Sequence, residues 1–407
     1  MKLQNVDIHS TITALSCALD LVGVDEVRHG KRVAIIARAI AEHLNWPEAD
    51  RLSILYAGML HDCGVSRIHE HRQLTDTLEW DGAEEHCIRG ADYLSACKPV
   101  AHLSAEIRYH HTRWEKLQDL PIDQRLRLRT NLLFLADRID VLQAPFLNNG
   151  QILTEFPAII ARIKTLSGIL FAPELVEAFT EIADVEAFWL AMEPEYLDED
   201  LRRIGSHILA TTLEITDLKE LARLFSRVVD AKTPYTDEHS QRVAHIARQL
   251  AADFGIQGYE LEQVEIAGLL HDIGKLRVSE DIIDKPGSLT AEERATMHRH
   301  SYDTFRILQR VFDDSKIPVW AGFHHETLRG DGYPFKTGNK ELDLECRIIA
   351  VADIFQALAQ ERPYRHTMSL EYILNDLQSR VANGCLDAAV VAKLTENAEL
   401  YYRLAVA

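Results

Sequence analysis

The 407 residues contain no apolar run of 18 or more, and no signal-peptide pattern follows Met1. The expectation is therefore a cytoplasmic protein with no membrane-spanning helix. Six cysteines (Cys17, Cys63, Cys87, Cys97, Cys346, Cys385) include no CxxC pair, and they read as reduced, mostly buried thiols. Positive charge is scarce: 44 Lys and Arg stand against 63 Asp and Glu, a net charge of −19. A broad DNA- or RNA-binding face is thereby excluded. A small anionic ligand is not, because metal ions and a few basic residues can reverse the field inside one cleft. The remainder, 47% hydrophobic and 26% charged, is ordinary for a globular protein, and the length suits two or three domains.

What is present centres on LLHDIGK, Leu269 to Lys275. Leu261, Val264, Ala267 and Leu270 recur at helical spacing before it. His271 and Asp272 would then sit side by side at the end of an apolar helix, with Lys275 four residues beyond His271 on the same face. An HD pair alone is a weak signal, far more often structural or accidental than functional. Here it is joined by His239, 32 residues upstream, and by His300, His324, His325 and Asp353 downstream. Five His and two Asp on separate helical segments suit borderline first-row metals better than calcium or magnesium, which prefer oxygen shells.

This order, with GDGYP at Gly330 to Pro334, KPGSLTAEE at Lys285 to Glu293 and ERPYR at Glu361 to Arg365, resembles the HD-GYP family of cyclic dinucleotide phosphodiesterases across about residues 220–395. The resemblance implies two divalent transition metal ions, with iron, manganese or nickel as candidates. His239, His271, Asp272 and Asp353 would hold one ion, and His300, His324 and His325 the other, with Asp272 bridging and taking part in catalysis. Two metals about 3.5–4 Å apart serve to activate a nucleophile and neutralise a phosphodiester. Lys275 would bind a non-bridging phosphate oxygen as a point charge, although a solvated helix-end lysine is the plain alternative. Arg362 and Arg365 could contact phosphate or base, or be surface charges. Gly330, Gly332, Tyr333 and Pro334 form a turn-rich stretch open to a ligand; Tyr333 could stack on a base, and the loop is a candidate protein-partner surface. Two departures from the family pattern stand out. Tyr235 occupies the position where some relatives carry a third-metal glutamate, so two metals are expected. Gln356 replaces a common aspartate and reads as structural.

The first half repeats the second. His29, His61, Asp62, His86, His110, His111 and Asp137 match the seven C-terminal positions, at offsets of 210, 214 and 216 that grow along the chain. Small loop insertions in an internal duplication explain that drift. The expected fold is thus all-α: two tandem helical HD-type domains, residues 1–200 and 201–407, joined by a long helix over Leu201 to Val229 that also offers a homodimer face. The first half has Val65 where the second has Lys275, and Trp114, Leu117 and Leu120 in place of the glycine-rich turn. It is therefore read as degenerate and regulatory. Its histidines are either packed core groups or a second, non-catalytic metal site. Pro145, Pro157, Pro173 and Pro194 are expected to divide residues 145–200 into short segments. For the C-terminal half the substrate implied is c-di-GMP, with 3′,3′-cGAMP as runner-up, cut to the linear dinucleotide and on to mononucleotide as a further product. A cyclic-dinucleotide receptor with little turnover and a general HD nucleotide phosphohydrolase are the other classes.

Overall fold

Residues 6–22, 28–65, 67–76, 78–80, 82–147, 150–207, 212–232, 238–360 and 367–406 are described by the computed structural model. Among them helices alternate with turns and no strand forms; Ser167 and Phe171 make only an isolated bridge. The chain divides into two units, Asp7–Thr211 and Thr212–Ala407 with Met1–Val6.

The same set of elements builds each unit. In the second, His239–Asp253 packs on Gly258–Leu270 and on Leu344–Ala359, while Ala291–Val311 packs on Ile317–Gly322 and on the 3-10 turn Ile273–Arg277. In the first, His29–His43 packs on Glu48–Leu60 and Gln124–Leu147, while Ala83–Ser95 packs on Ser104–Tyr109 and the 3-10 turn His61–Gly64. The apolar stripes read from the sequence face these contacts: Val33, Ile36, Ala37 and Ile40, and likewise Val243, Ile246, Ala247 and Leu250, are fully buried. Each buried Val, Ile or Leu contributes roughly 1.5–3 kcal/mol of transfer free energy. Helix starts follow local chemistry: Thr290 and Glu293 form a reciprocal capping box at Ala291, as the threonine's position predicts.

Four expectations are corrected. The long helix over Leu201 to Val229 is two helices, Pro194–His207 and Ile215–Asp230, in different units. A capping box of Glu214 and Asp217 starts the second one afresh, because carboxylates satisfy the first free N–H groups. The unit boundary accordingly falls at 211/212, not at 200/201, since Pro194–His207 packs on Ile8–Leu19 and His29–His43. The apolar stripe of Ile215–Asp230, including Leu218, Leu221, Leu224 and Phe225, is buried against its own unit, so it is not a free dimer face. Finally, Pro145 and Pro157 lie inside helices, and Pro173 and Pro194 open them; a first-turn proline lacks only an N–H that has no intrahelical partner.

Candidate metal centre

In the second unit, the helix bearing the HD pair ends at Leu270; His271 is its C-cap and Asp272 enters a 3-10 turn. That tighter turn puts Lys275 over Asp272, with Nζ 2.5 Å from Oδ2, rather than over His271 as an unbroken α-helix would. The turn is held from Ala291–Val311: Thr304 Oγ1 accepts from Gly274 N and donates to the His271 carbonyl, both at 3.0 Å. A Cβ on Gly274 would lie 2.1 Å from the His300 carbonyl. Only glycine allows this approach, which brings the helix of His300 against the HD turn. Gly64 stands in the same relation to His86.

The structure brings all seven C-terminal candidates together. Asp272 is buried and splits its two oxygens. Oδ2 faces His271 Nε2 at 3.3 Å and His239 Nε2 at 3.6 Å; Oδ1 faces His300 Nε2 at 3.5 Å and His324 Nε2 at 3.7 Å. Asp353 Oδ1 joins the first group, 3.5 Å from His239 and 3.8 Å from His271. The ligand atoms of His300, His324 and His325 form the second group, all within 4.8 Å. A carboxylate between two sets of imidazoles is the shape of a bridge.

The tautomers fit a metal. His271, His300 and His324 each donate Nδ1–H to the carbonyl three residues earlier, Gly268, Met297 and Ala321, at 2.6–2.7 Å. His239 Nδ1–H donates to Gln356 Oε1, so Gln356 orients the first histidine, a partner invisible to ligand spacing. Each Nε2 therefore points inward and would offer its lone pair once a metal ion displaces any proton it carries. His300 and His324 Nε2 face each other at 3.3 Å, where two lone pairs repel unless a cation lies between them. Nitrogens bound to one ion at about 2.0–2.1 Å come about 3 Å apart. His239 Nε2, His271 Nε2 and Asp272 Oδ1 are buried without a hydrogen-bond partner. Burial disfavours charge on His271, yet Asp272 and Asp353 raise its pKa to about 10. Burial lowers His300 to about 3 and His325 to about 4, and holds His324 well below its usual value. Burial pushes Asp272 up, but His271 and Lys275 outweigh it and hold the carboxyl well below the usual range.

Next to the centre, Gly332 is buried where a Cβ would meet the Glu326 Cα and the His325 carbonyl at 2.5 Å. Glu326, which sequence patterning passes over, accepts the backbone N–H groups of Phe335, Lys336 and Thr337 and so shapes this loop. Gly330 has φ +77°, and Pro334 follows a cis peptide. One face of Tyr333 is taken by His298, stacked at 3.7 Å, while the ring packs 4.8 Å from His325. Arg362, Arg365 and Tyr235 lie outside the described residues.

The first unit gathers its seven counterparts too. His29 and His61 Nε2 lie 3.3 Å apart, and His86 and His110 Nε2 3.2 Å apart. Asp62 Oδ2 faces His61 at 3.3 Å and Oδ1 faces His86 at 3.7 Å. His111 Nε2 is 3.7 Å from Asp137. Its charges differ from those of the second unit: Arg138 pairs with Asp137 at 2.7 Å, and Asp140, which orients His29, is gripped by Arg32 at 2.6 Å. Val65 is buried beside the centre. The space in front of His29, His61 and Asp62, walled by Leu19, Val22, Met59, Val65 and His71, is about 10 Å³, room for one water.

The HD domain family matches residues 27–142 and, in a second form, residues 223–390. The chain is 36% identical over 411 residues to the 3′3′-cGAMP-specific phosphodiesterase 1 of Vibrio cholerae, covering 99% of this chain and 94% of that protein. It is 32% identical over 294 residues to the 3′3′-cGAMP-specific phosphodiesterase 3 of the same organism, covering 72% of this chain and 62% of that one. The crystal structure of the cyclic GMP-AMP-specific phosphodiesterase V-cGAP3 of V. cholerae superposes with a TM-score of 0.66 at 25% identity, over 97% of this chain and 98% of that one.

Proposed function

This chain belongs to the HD-GYP family of cyclic dinucleotide phosphodiesterases, and from that premise we propose that its C-terminal centre opens 3′,3′-cGAMP to the linear dinucleotide. The orientation of Asp272 carries the proposal: one buried carboxylate offers an oxygen to each of two sets of inward-facing imidazoles. His239, His271, Asp272 and Asp353 would hold one divalent ion and His300, His324 and His325 the other, with iron, manganese or nickel suiting this nitrogen and oxygen set. Two such ions supply a strong nucleophile at neutral pH and offset charge on the phosphate. The protein's own part is to fix the rings by their Nδ1–H bonds and to keep the donors in register across the bridge. Lys275 gives up part of its hold on Asp272 and presents its ammonium to a non-bridging phosphate oxygen.

The choice of 3′,3′-cGAMP over c-di-GMP rests on the relative that aligns along 99% of the chain and is specific for 3′3′-cGAMP. For the first unit we propose regulation rather than turnover: its seven donors would hold metal, but it lacks the lysine and leaves room for one water. Tyr302 and Phe335, exposed and 5.9 Å apart beside the GYP segment, suit a protein partner there. Six cysteines with no CxxC pair fit a reducing cytoplasm, and no helix among the described residues is long and apolar enough to cross a membrane.

The test is side-by-side turnover of 3′,3′-cGAMP and c-di-GMP by protein loaded in turn with manganese, iron and nickel. The expected result is at least a tenfold advantage in kcat/KM for 3′,3′-cGAMP. Equal or reversed preference removes the substrate assignment. A fully loaded protein that cuts neither removes the hydrolytic one.

A further inference from the structure

The two units are near copies, but at one position beside the centre they differ in donor chemistry. Ser301 follows His300, with Oγ 3.2 Å from His300 Nε2. The residue at the same offset in the first unit is Cys87, whose Sγ lies 3.8 Å from His86 Nε2. His86 Nε2, Cys87 Sγ and a His110 nitrogen are all buried, within 4.8 Å of one another. Asp62 Oδ1, buried and without a hydrogen-bond partner, is 3.7 Å from His86 Nε2. A hydroxyl is a poor metal ligand, whereas a thiolate is among the best for zinc.

A second observation points the same way. Five histidines of the two centres, His61, His110, His271, His300 and His324, donate Nδ1–H to the carbonyl three residues earlier. His86 does not. Its counterpart carbonyl, Ala83, accepts the Cys87 thiol instead at 3.2 Å, and His86 Nδ1 is buried without a partner. A metal-bound thiolate has no proton to donate. Were Cys87 a ligand, the Ala83 carbonyl would be free for His86 Nδ1–H, and His86 would adopt the anchoring of the other five. One bound ion would account for both the partnerless ring nitrogen and the thiol on the Ala83 carbonyl.

We propose that the first unit binds a zinc-class ion through His86, His110 and the Cys87 thiolate, completed by Asp62, as a closed structural centre distinct in metal preference from the all-His/Asp centre of the second unit. The Cys87 proton passes to solvent as the ion binds, so loading takes up the metal and releases one proton at this ligand. Structural zinc sites are four-coordinate and closed, and the neighbouring space, with room for one water, is consistent with that. The inference deepens the reading that the first unit holds metal and rests on it.

The experiment uses full-length protein carrying His271→Ala and Asp272→Ala, so that remaining metal reports on the first unit. It is loaded with cobalt(II) and, separately, zinc, and Cys87→Ser is added to this background and to the otherwise unaltered chain. The expected results are a thiolate-to-cobalt charge-transfer band that Cys87→Ser abolishes, and zinc affinity lowered by about 100-fold or more, beyond the 10–100-fold typical of an outer-shell change. Cobalt bound without the band, or a band and affinity unaffected by Cys87→Ser, overturns the thiolate ligand while leaving metal in the first unit. No metal bound at all overturns both that ligand and the reading beneath it.

Discussion

Lys275 and Gln356 show how two side chains outside the donor set govern it. Lys275 Nζ shares Asp272 Oδ2 with His271 and His239, so its charge competes with the first metal position. Assigned to phosphate, Lys275→Ala should lower kcat by about 10²–10³ with metal content near wild type, measured by elemental analysis alongside kinetics. Metal lost together with activity would instead make it a counter-ion for Asp272. Gln356→Ala removes the acceptor that fixes the His239 tautomer. Metal affinity should drop about 10–100-fold, read by competition with a chelator, and unchanged affinity would leave Gln356 as packing only. The seven donors were legible in the sequence because a duplicated order of His and Asp survives insertions. Gln356 was not, because a glutamine one turn beyond Asp353 looks like any core residue until the opposite helix is in place. The pair Asp137 and Asp140 carries the same three-residue spacing and was the available clue.

At the scale of elements, the tight turn after the HD pair is the part that periodicity misread. Apolar spacing extends the helix through Lys275, whereas the chain switches to a 3-10 turn so that Gly274 can lie against the His300 carbonyl and Thr304 can hold both its strands of hydrogen bonding. Gly274→Ala forces that contact apart. The expected cost is about 1–3 kcal/mol of stability in the second unit, seen as a lower thermal midpoint. Turnover should fall further than stability does, since His300 moves away from Asp272 Oδ1. A variant with wild-type turnover would show that His300 tolerates displacement and that the turn is only scaffold. The break between His207 and Ile215 was equally hidden: apolar residues recur in the sequence across both segments, while the second helix starts at its own Glu214–Asp217 cap.

For the molecule as a whole, the question is which of two similar centres performs chemistry. Two full-length variants compare them, His61→Ala with Asp62→Ala and His271→Ala with Asp272→Ala. The first should still turn over 3′,3′-cGAMP at an altered rate; the second should be inactive. Substantial hydrolysis by the second would transfer catalysis to the first unit and make Val65 irrelevant. The anchoring of the histidines has one more consequence. Rings tied by Nδ1–H to carbonyls of their own helices are oriented by the backbone before any ion arrives. Such a centre would present one fixed donor geometry to every ion, so selection among metals would rest on that geometry and on availability rather than on the order of intrinsic affinities. Which ion would sit there in a living cell then turns on what the cell makes available to rings already in place.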